Sequence, residues 1–288
     1  MNQVSDSFAE ERDNNGFIIN SYFIPEEIVT YILSFVDPAP LVFHCRLVCK
    51  RWKQLIEEQH VWKHKMKKIE RTSFSKLSQA DRIQLNLPWY LYFVIFYYDP
   101  FEKNLLRNNC GQKRFKYWSV LSGFEEESSI ENVPAGADAL PESSDFENNT
   151  CCFVSSYNLC KKSQLISLSE IGITELVMNK IQPEIIVSEW FAGRYDCGCK
   201  YKLTASLLND RHEILYQKEE ERQINQWEGR DWKKVTIIFK NYGPGVRHIL
   251  FDHEGKDTKF WAGHYGSKMS GGMVTITLPT TSIKSLTT

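Results

Sequence analysis

Tyr201-Lys202-Leu203-Thr204-Ala205-Ser206-Leu207 alternates apolar and polar side chains over its whole length. Successive residues of an extended strand point to opposite faces. Tyr201, Leu203, Ala205 and Leu207 therefore share one face, and Lys202, Thr204 and Ser206 the other. The same period returns on both sides of the stretch. Val235, Ile237 and Phe239 alternate with Thr236, Ile238 and Lys240, and Val274, Ile276 and Leu278 with Thr275 and Thr277. Glu184 to Phe191 and Val246 to Asp252 read as further buried or half-buried strands. Asn209-Asp210 and Tyr242-Gly243-Pro244-Gly245 read as turns. Short strands at intervals of roughly 10–15 residues predict an antiparallel sandwich or barrel beyond Cys151.

The first part of the chain has a different period. Pro25 opens an apolar-periodic segment with Glu26 and Glu27 in its first turn, where proline and acids both suit a helix start. Ile28, Ile32 and Phe35 follow at helical spacing, and Asp37-Pro38 ends the segment. Leu41, Cys45, Val48, Trp52 and Leu55 form a stripe that predicts one helix from about Pro40 to Ile56. A third helix is predicted around Val61 to Ile69, carrying Trp62 and Met66. The expected class is α+β in two domains, a three-helix bundle followed by an antiparallel β-sandwich.

The chain has 288 residues, of which 42% are hydrophobic and 25% charged, an ordinary globular composition. Net charge is −1, which argues against a global polycation built for nucleic acid. That value is a cancellation. Arg46 to Lys76 holds ten Lys or Arg against Glu57, Glu58 and Glu70, while Ser122 to Thr150 holds eight acids and no base. The basic stretch fits a solvated helix face or an acidic partner. The acidic stretch, with Pro134, Gly136 and Pro141, reads as an exposed loop. Aromatics reach 13% and belong in cores or on a recognition surface.

Met1 to Asn15 is polar and lacks the basic start and apolar stretch of a signal peptide. The longest apolar run, Trp89 to Tyr98, is half of the ~20 residues a membrane span needs. A cytoplasmic protein with no membrane insertion and reduced thiols at its eight cysteines is expected. Cys45, Cys49, His60 and His64 approach a zinc-finger spacing, but the two thiols lie inside a helical stripe without turn glycines, so no metal is expected. No hydrolase, phosphate-binding or dinucleotide motif occurs. Neither catalysis nor a cofactor is expected. Ile24, Pro25, Ile28, Ile32, Leu33, Leu41, Val42, Val48 and Trp52 are more apolar bulk than three short helices enclose. Some face a partner, or they pack on the β-domain.

Ile24-Pro25-Glu26-Glu27-Ile28, Ile32-Leu33, Leu41, Cys45-Arg46-Leu47-Val48-Cys49-Lys50-Arg51-Trp52 and Trp62 resemble an F-box over about residues 22–68. The resemblance implies docking on the Skp adaptor of a cullin-based ubiquitin ligase through Ile24, Pro25, Ile28, Ile32, Leu33, Leu41, Val48 and Trp52. Such a subunit does no chemistry. It holds a substrate near the ubiquitin-conjugating enzyme.

Asn104-Leu105-Leu106-Arg107-Asn108, Ser155-Ser156-Tyr157, Gln182-Pro183, Ala192-Gly193-Arg194, Asp196, Asp231-Trp232, Tyr242 to Arg247 and Asp257 to Gly263 resemble the F-box-associated domain of sugar-recognising F-box proteins. The implied fold is a β-sandwich of the galactose-binding, jelly-roll type. The implied ligand is the inner chitobiose of N-linked high-mannose glycans. By resemblance the site holds Tyr157, Asp196, Phe260, Trp261 and Ala262, with Trp261 as the stacking platform. Ala262 stands where some strong binders carry lysine, which removes a donor, and His264 stands where members carry tryptophan. Gly255 and Gly263 are expected to bracket the segment as a loop.

The implied order is a polar tail over 1–21, the F-box over 22–70, a helical linker over 71–103, the glycan-binding domain over 104–280 and a tail over 281–288. The resemblance implies a receptor that delivers misfolded glycoproteins to ubiquitination and endoplasmic-reticulum-associated degradation. A receptor for a non-glycan degron and a ligase-independent glycan-binding chaperone are the alternatives.

Overall fold

A computed structural model describes residues 16–67, 87–124 and 129–277. The chain divides into two compact units between Phe101 and Glu102.

The first unit opens with a short hairpin, β1 (Ile18–Ile19) and β2 (Tyr22–Phe23). Helix α1 (Glu26–Leu33) follows Pro25 and buries Val29, Thr30 and Leu33. Helix α2 (Pro38–Phe43) starts on Asp37-Pro38 and buries Leu41 and Val42. The single helix expected from Pro40 to Ile56 is absent. The chain leaves α2 at His44, makes a 3-10 turn over Cys45–Leu47 and begins α3 (Lys50–Glu57) after an extended Cys49. The cause is local. The Cys49 side chain accepts the Trp52 amide at 3.4 Å and so acts as the cap of a new helix. A continuous stripe and a broken one show the same spacing in sequence.

Helix α4 (Gln59–Met66) follows, and Ile69 lies outside the described residues. The linker expected over 71–103 is described only from Leu87, where the apolar run forms α5 (Trp89–Tyr97). Its Leu91, Tyr92, Phe93, Val94 and Ile95 are buried, so the run is a core helix. Trp62 is fully buried, stacks on Tyr92 at 6.2 Å and Phe96 at 5.9 Å, and donates its indole N–H to the Ile56 carbonyl at 2.7 Å. Part of the basic surplus serves this unit itself. Arg46 pairs with Glu57 and Arg51 with Glu26.

The second unit is a sandwich of two five-stranded antiparallel sheets with orders β10-β7-β12-β5-β4 and β3-β6-β11-β8-β9. The strands are β3 (Ser119–Ser122), β4 (Ile130–Glu131), β5 (Cys152–Val154), β6 (Cys160–Ser167), β7 (Ile185–Ala192), β8 (Cys199–Leu208), β9 (Ile214–Ile224), β10 (Lys233–Phe239), β11 (His248–Asp257) and β12 (Lys268–Ile276). A short helix, α6 (Glu175–Lys180), joins β6 to β7. Tyr201, Leu203, Ala205 and Leu207 of β8 are buried, as are Val235, Ile237 and Phe239 of β10. Leu278 lies outside the described residues. All eight cysteines are free thiols.

The acidic segment departs from its loop reading. It contributes β4, a 3-10 turn over Ser144–Phe146 and the buried ring of Phe146. Three of its acids, Glu131, Asp138 and Asp145, pair with bases on later strands and loops. Glu131 accepts from Lys268 at 2.6 Å, Asp138 from Arg230 at 2.6 Å, and Asp145 from Lys234 and the Trp190 indole, both at 2.7 Å. Composition cannot reveal this, because the bases lie some 90 or more residues away along the chain.

The sandwich interior carries ionisable groups. Glu189 of β7 faces Lys162, His253 and Tyr201 of the opposing sheet, and all four are buried. Tyr201 donates its hydroxyl to Glu189 at 2.8 Å, and His253 donates Nδ1–H to the same carboxylate at 2.7 Å. Lys162 lies directly across the ladder from His253 and donates to its Nε2. The Lys162 nitrogen also sits 3.7 Å from the centre of the Trp118 ring and 3.4 Å from that of Phe153.

Burial pushes His253 down to about 4. An unfolded histidine titrates near 6.5, so between these values the unfolded chain binds the extra proton. The contribution to stability is whole above about 6.5 and is lost as pH falls towards 4. The loss amounts to about 2 kcal/mol by pH 5. Urea unfolding followed by near-ultraviolet circular dichroism should show wild type losing about that much more than His253→Gln between pH 7 and pH 5. Parallel losses would refute the assignment.

Candidate glycan-binding end of the sandwich

Strand register places four loops at one end of the sandwich. Ala192, closing β7, pairs with Lys268, which opens β12, and neighbouring Phe191 pairs with Lys233, which opens β10. Asp257 at the close of β11 pairs with Cys199 at the start of β8, and Gly255 pairs with Cys160 at the start of β6. Loops 155–159, 193–198, 225–232 and 258–267 therefore converge.

Backbone bonds fasten them together. Asp257 N–H donates to Ser156 O, Gly266 N–H to Ser155 O and Thr258 N–H to Gly198 O, each at 2.9 Å. Gly255 does not bracket the loop as expected. It lies within β11, where a Cβ would fall 1.9 Å from the Ser267 hydroxyl, so it serves close packing between strands. Gly263 is a loop residue with φ +118°.

The Asp257 carboxylate accepts the amides of Lys259 at 2.9 Å and Phe260 at 2.6 Å, which turns the chain sharply as it leaves β11. Phe260 is held at φ +56° with 74% of its surface exposed. That region is rarely adopted by a bulky residue and is found where a site is pre-shaped. Trp261 is 38% exposed, and its ring meets that of Tyr265 edge-on at 5.8 Å. The other side of the group is ionic. Arg194 Cζ lies 4.8 Å from the Tyr265 ring centre, and Arg194 Nε donates to Asp196 at 2.6 Å.

Asp196 and Trp261 are thus joined through Arg194 and Tyr265. Phe260 and Ala262 are exposed next to Trp261 in the same loop. Tyr157 is exposed in the neighbouring loop, whose Ser156 carbonyl is tied to Asp257. His264 shares a hydrogen bond with the Ser129 hydroxyl at 3.0 Å.

In the first unit, Pro25, Ile28, Ile32 and Val48 are exposed, with Ile28 at 50% and Val48 at 60%. Ile24 and Trp52 are half-buried. Leu33 and Leu41 are a correction. They are 1% and 0% exposed and fill the bundle core, because helical spacing points them inward. Tyr31, Phe35 and Leu47 are exposed as well and were not singled out as contact residues.

Comparison with known proteins decides the family. The F-box associated region model matches residues 96–276, and the F-box-like model matches residues 22–68. The chain belongs to the F-box proteins that carry an F-box associated region. Rat F-box only protein 6 is 32% identical to it over 261 residues, covering 90% of this chain and 87% of the relative. Human F-box only protein 44 is 34% identical over 259 residues, covering 89% and 96%. Bovine F-box only protein 2 is 30% identical over 272 residues, covering 92% and 86%. Among solved structures, TmCBM61 in complex with β-1,4-galactotriose has a TM-score of 0.38 at 16% identity, covering 61% of this chain and 99% of that one. F-box proteins are the substrate-recognition adaptors of Skp–cullin–F-box ubiquitin ligases, and this F-box protein has the two-domain build of that role.

Four residues around the F-box protein's site were not singled out in the sequence as parts of it. Tyr265 supports Trp261, and Arg194 links Tyr265 to Asp196. Tyr195 and Trp227 are exposed neighbours, with ring centres 6.2 Å apart. One signal was available. Trp227 sits in the polar turn Asn225 to Arg230, an odd place for a tryptophan meant for a core. Among the described residues no cluster of His, Cys, Asp and Glu could hold a metal, and no helix is long and apolar enough to cross a membrane.

Proposed function

We propose that this F-box protein is a cytoplasmic substrate receptor that binds the inner chitobiose of N-linked high-mannose glycans on misfolded glycoproteins. The F-box docks on the Skp adaptor, and through it on the cullin. The sandwich then holds the client for ubiquitination and endoplasmic-reticulum-associated degradation. Catalysis is left to the ligase, and the receptor contributes proximity.

The observation that carries the reading is the half-exposed Trp261 ring, braced by Tyr265 beside the Arg194–Asp196 pair. A pyranose has an apolar C–H face and a rim of hydroxyls. An aromatic plane flanked by ionic and hydroxyl groups matches both. Tyr157, Phe260 and Ala262 complete the surface, and the Tyr157 hydroxyl can meet the sugar rim. The 74% exposure of Phe260 also suits an apolar, non-glycan degron, which is the second reading.

A glycan array containing chitobiose and high-mannose structures tests the first reading. Retention of chitobiose-containing glycans is expected, and indifference to all of them would end it. Adaptor co-precipitation separates a ligase receptor from a free-standing chaperone. Ile28→Ala removes about three carbons from an exposed docking face, and at ~0.8 kcal/mol per buried methylene it should weaken adaptor binding at least tenfold. Adding Pro25→Ala should deepen the loss while glycan retention is unchanged. Undiminished adaptor capture would place the docking face elsewhere.

A further inference from the structure

We propose that Tyr195 and Trp227 form a second aromatic platform, which takes the sugar ring attached next to the chitobiose held at Trp261. This extension rests on the glycan reading above. Trp227 is 70% exposed and Tyr195 47% exposed, so neither ring serves the core. Their planes meet at 52° with centres 6.2 Å apart, so the touching rings form one angled, exposed notch on whose outer faces a sugar ring can stack.

The notch is built rigidly. Trp227 holds φ +71°, a conformation that a bulky side chain seldom adopts without support. Support comes from the adjoining loop at three points. Trp227 N–H donates to Tyr195 O at 2.8 Å, Gly193 N–H to Gly229 O at 2.9 Å, and the Gln226 side chain to Asp196 O at 3.0 Å. A platform ordered before binding loses little freedom when a ligand arrives.

The platform also shares a loop with the Trp261 group. Tyr195 lies between Arg194, whose guanidinium covers Tyr265, and Asp196, which Arg194 holds. The same short loop, Arg194 to Asp196, therefore touches both aromatic pairs, Tyr265 with Trp261 through Arg194 and Trp227 through Tyr195. Asn225 and Glu228, bonded to each other at 3.1 Å, give the second pair an exposed polar rim. An aromatic face with amide and carboxylate edges fits a hexose better than an apolar peptide segment, which would leave the polar edge without partners. The occupant is a mannose of the glycan core.

Binding of wild type and Trp227→Ala to free chitobiose and to chitobiose extended by one to three mannoses tests this. Wild type should bind the extended glycan about tenfold more tightly than the disaccharide. Trp227→Ala should remove that gain and bind the disaccharide as wild type does, which also reports an intact fold. The Trp227 indole N–H resonance should shift with the extended glycan and stay in place with the disaccharide. An unchanged preference of Trp227→Ala for the extended glycan overturns the second platform and leaves the first reading intact. A loss seen only with an unfolded glycoprotein, and not with free glycans, overturns it in favour of a polypeptide contact. Wild type binding neither sugar overturns both.

Discussion

Trp261→Ala is expected to lower affinity for chitobiose by at least thirtyfold, while the sandwich melts within a few degrees of wild type. The two parts of this expectation have separate causes. An aromatic at the centre of a small recognition surface typically contributes about 2 kcal/mol or more to binding, which corresponds to roughly thirtyfold. A ring 38% exposed in a loop contributes far less to the fold. The loop keeps its shape without the indole, because Asp257 holds the amides of Lys259 and Phe260 and Gly263 supplies the reverse turn. Trp261→Phe should retain part of the affinity, since a smaller aromatic face remains. Isothermal titration with chitobiose and thermal denaturation of the same samples check both parts. Equal affinity in Trp261→Ala and wild type would remove Trp261 from the site.

Glu189→Ala is expected to destabilise the sandwich by about 3–5 kcal/mol. The carboxylate is fully buried and accepts from Tyr201 and from His253 at once. Its removal leaves two buried donors without an acceptor, each costing about 1–3 kcal/mol, and opens a cavity between the sheets. For a unit of this size that corresponds to a fall of about 10 °C or more in melting temperature. Glu189→Gln should cost less, because one amide oxygen still accepts. Combining Glu189→Ala with Tyr201→Phe should cost less than the sum of the single changes, since a phenyl ring brings no hydroxyl to be left unpaired. Differential scanning fluorimetry of wild type and these variants decides. A shift under about 2 °C for Glu189→Ala would mean that the network is not holding the two sheets.

These two predictions rest on different kinds of information. The exposure of Trp261 was legible from its place beside Gly263, and its proposed role from the family resemblance. Tyr265, which braces it, lies only four positions on, yet nothing in the order of residues says that its ring meets that of Trp261 edge-on. Arg194 and Asp196 are near neighbours in the chain, but their closeness to Tyr265 depends on β11 pairing with β8. Glu189 and Lys162 read simply as polar residues within strands. Their meeting through His253 requires two sheets packed face to face, and strand periodicity specifies a face without naming its partner.

The same division runs through the helical unit. Spacing located the apolar residues of α1 to α4, and the family resemblance grouped Leu33 and Leu41 with Ile28 and Ile32 as contact residues. Which of them point inward depends on where neighbouring helices lie. The break at Cys49 depends on whether a thiol caps a new turn or packs within an old one.

By itself the sequence determined the two-domain order, the change from helical to strand period, and the F-box and F-box associated regions. These are local signals, carried by residues a few positions apart. Only the tertiary structure decided the Arg194–Tyr265 bridge, the pairing of Tyr195 with Trp227, the anchoring of the acidic segment and the buried Lys162–His253–Glu189 network. Each of those joins groups brought together by strand register and sheet packing, and long-range pairing is set by the free energy of the whole fold rather than by any short stretch of chain.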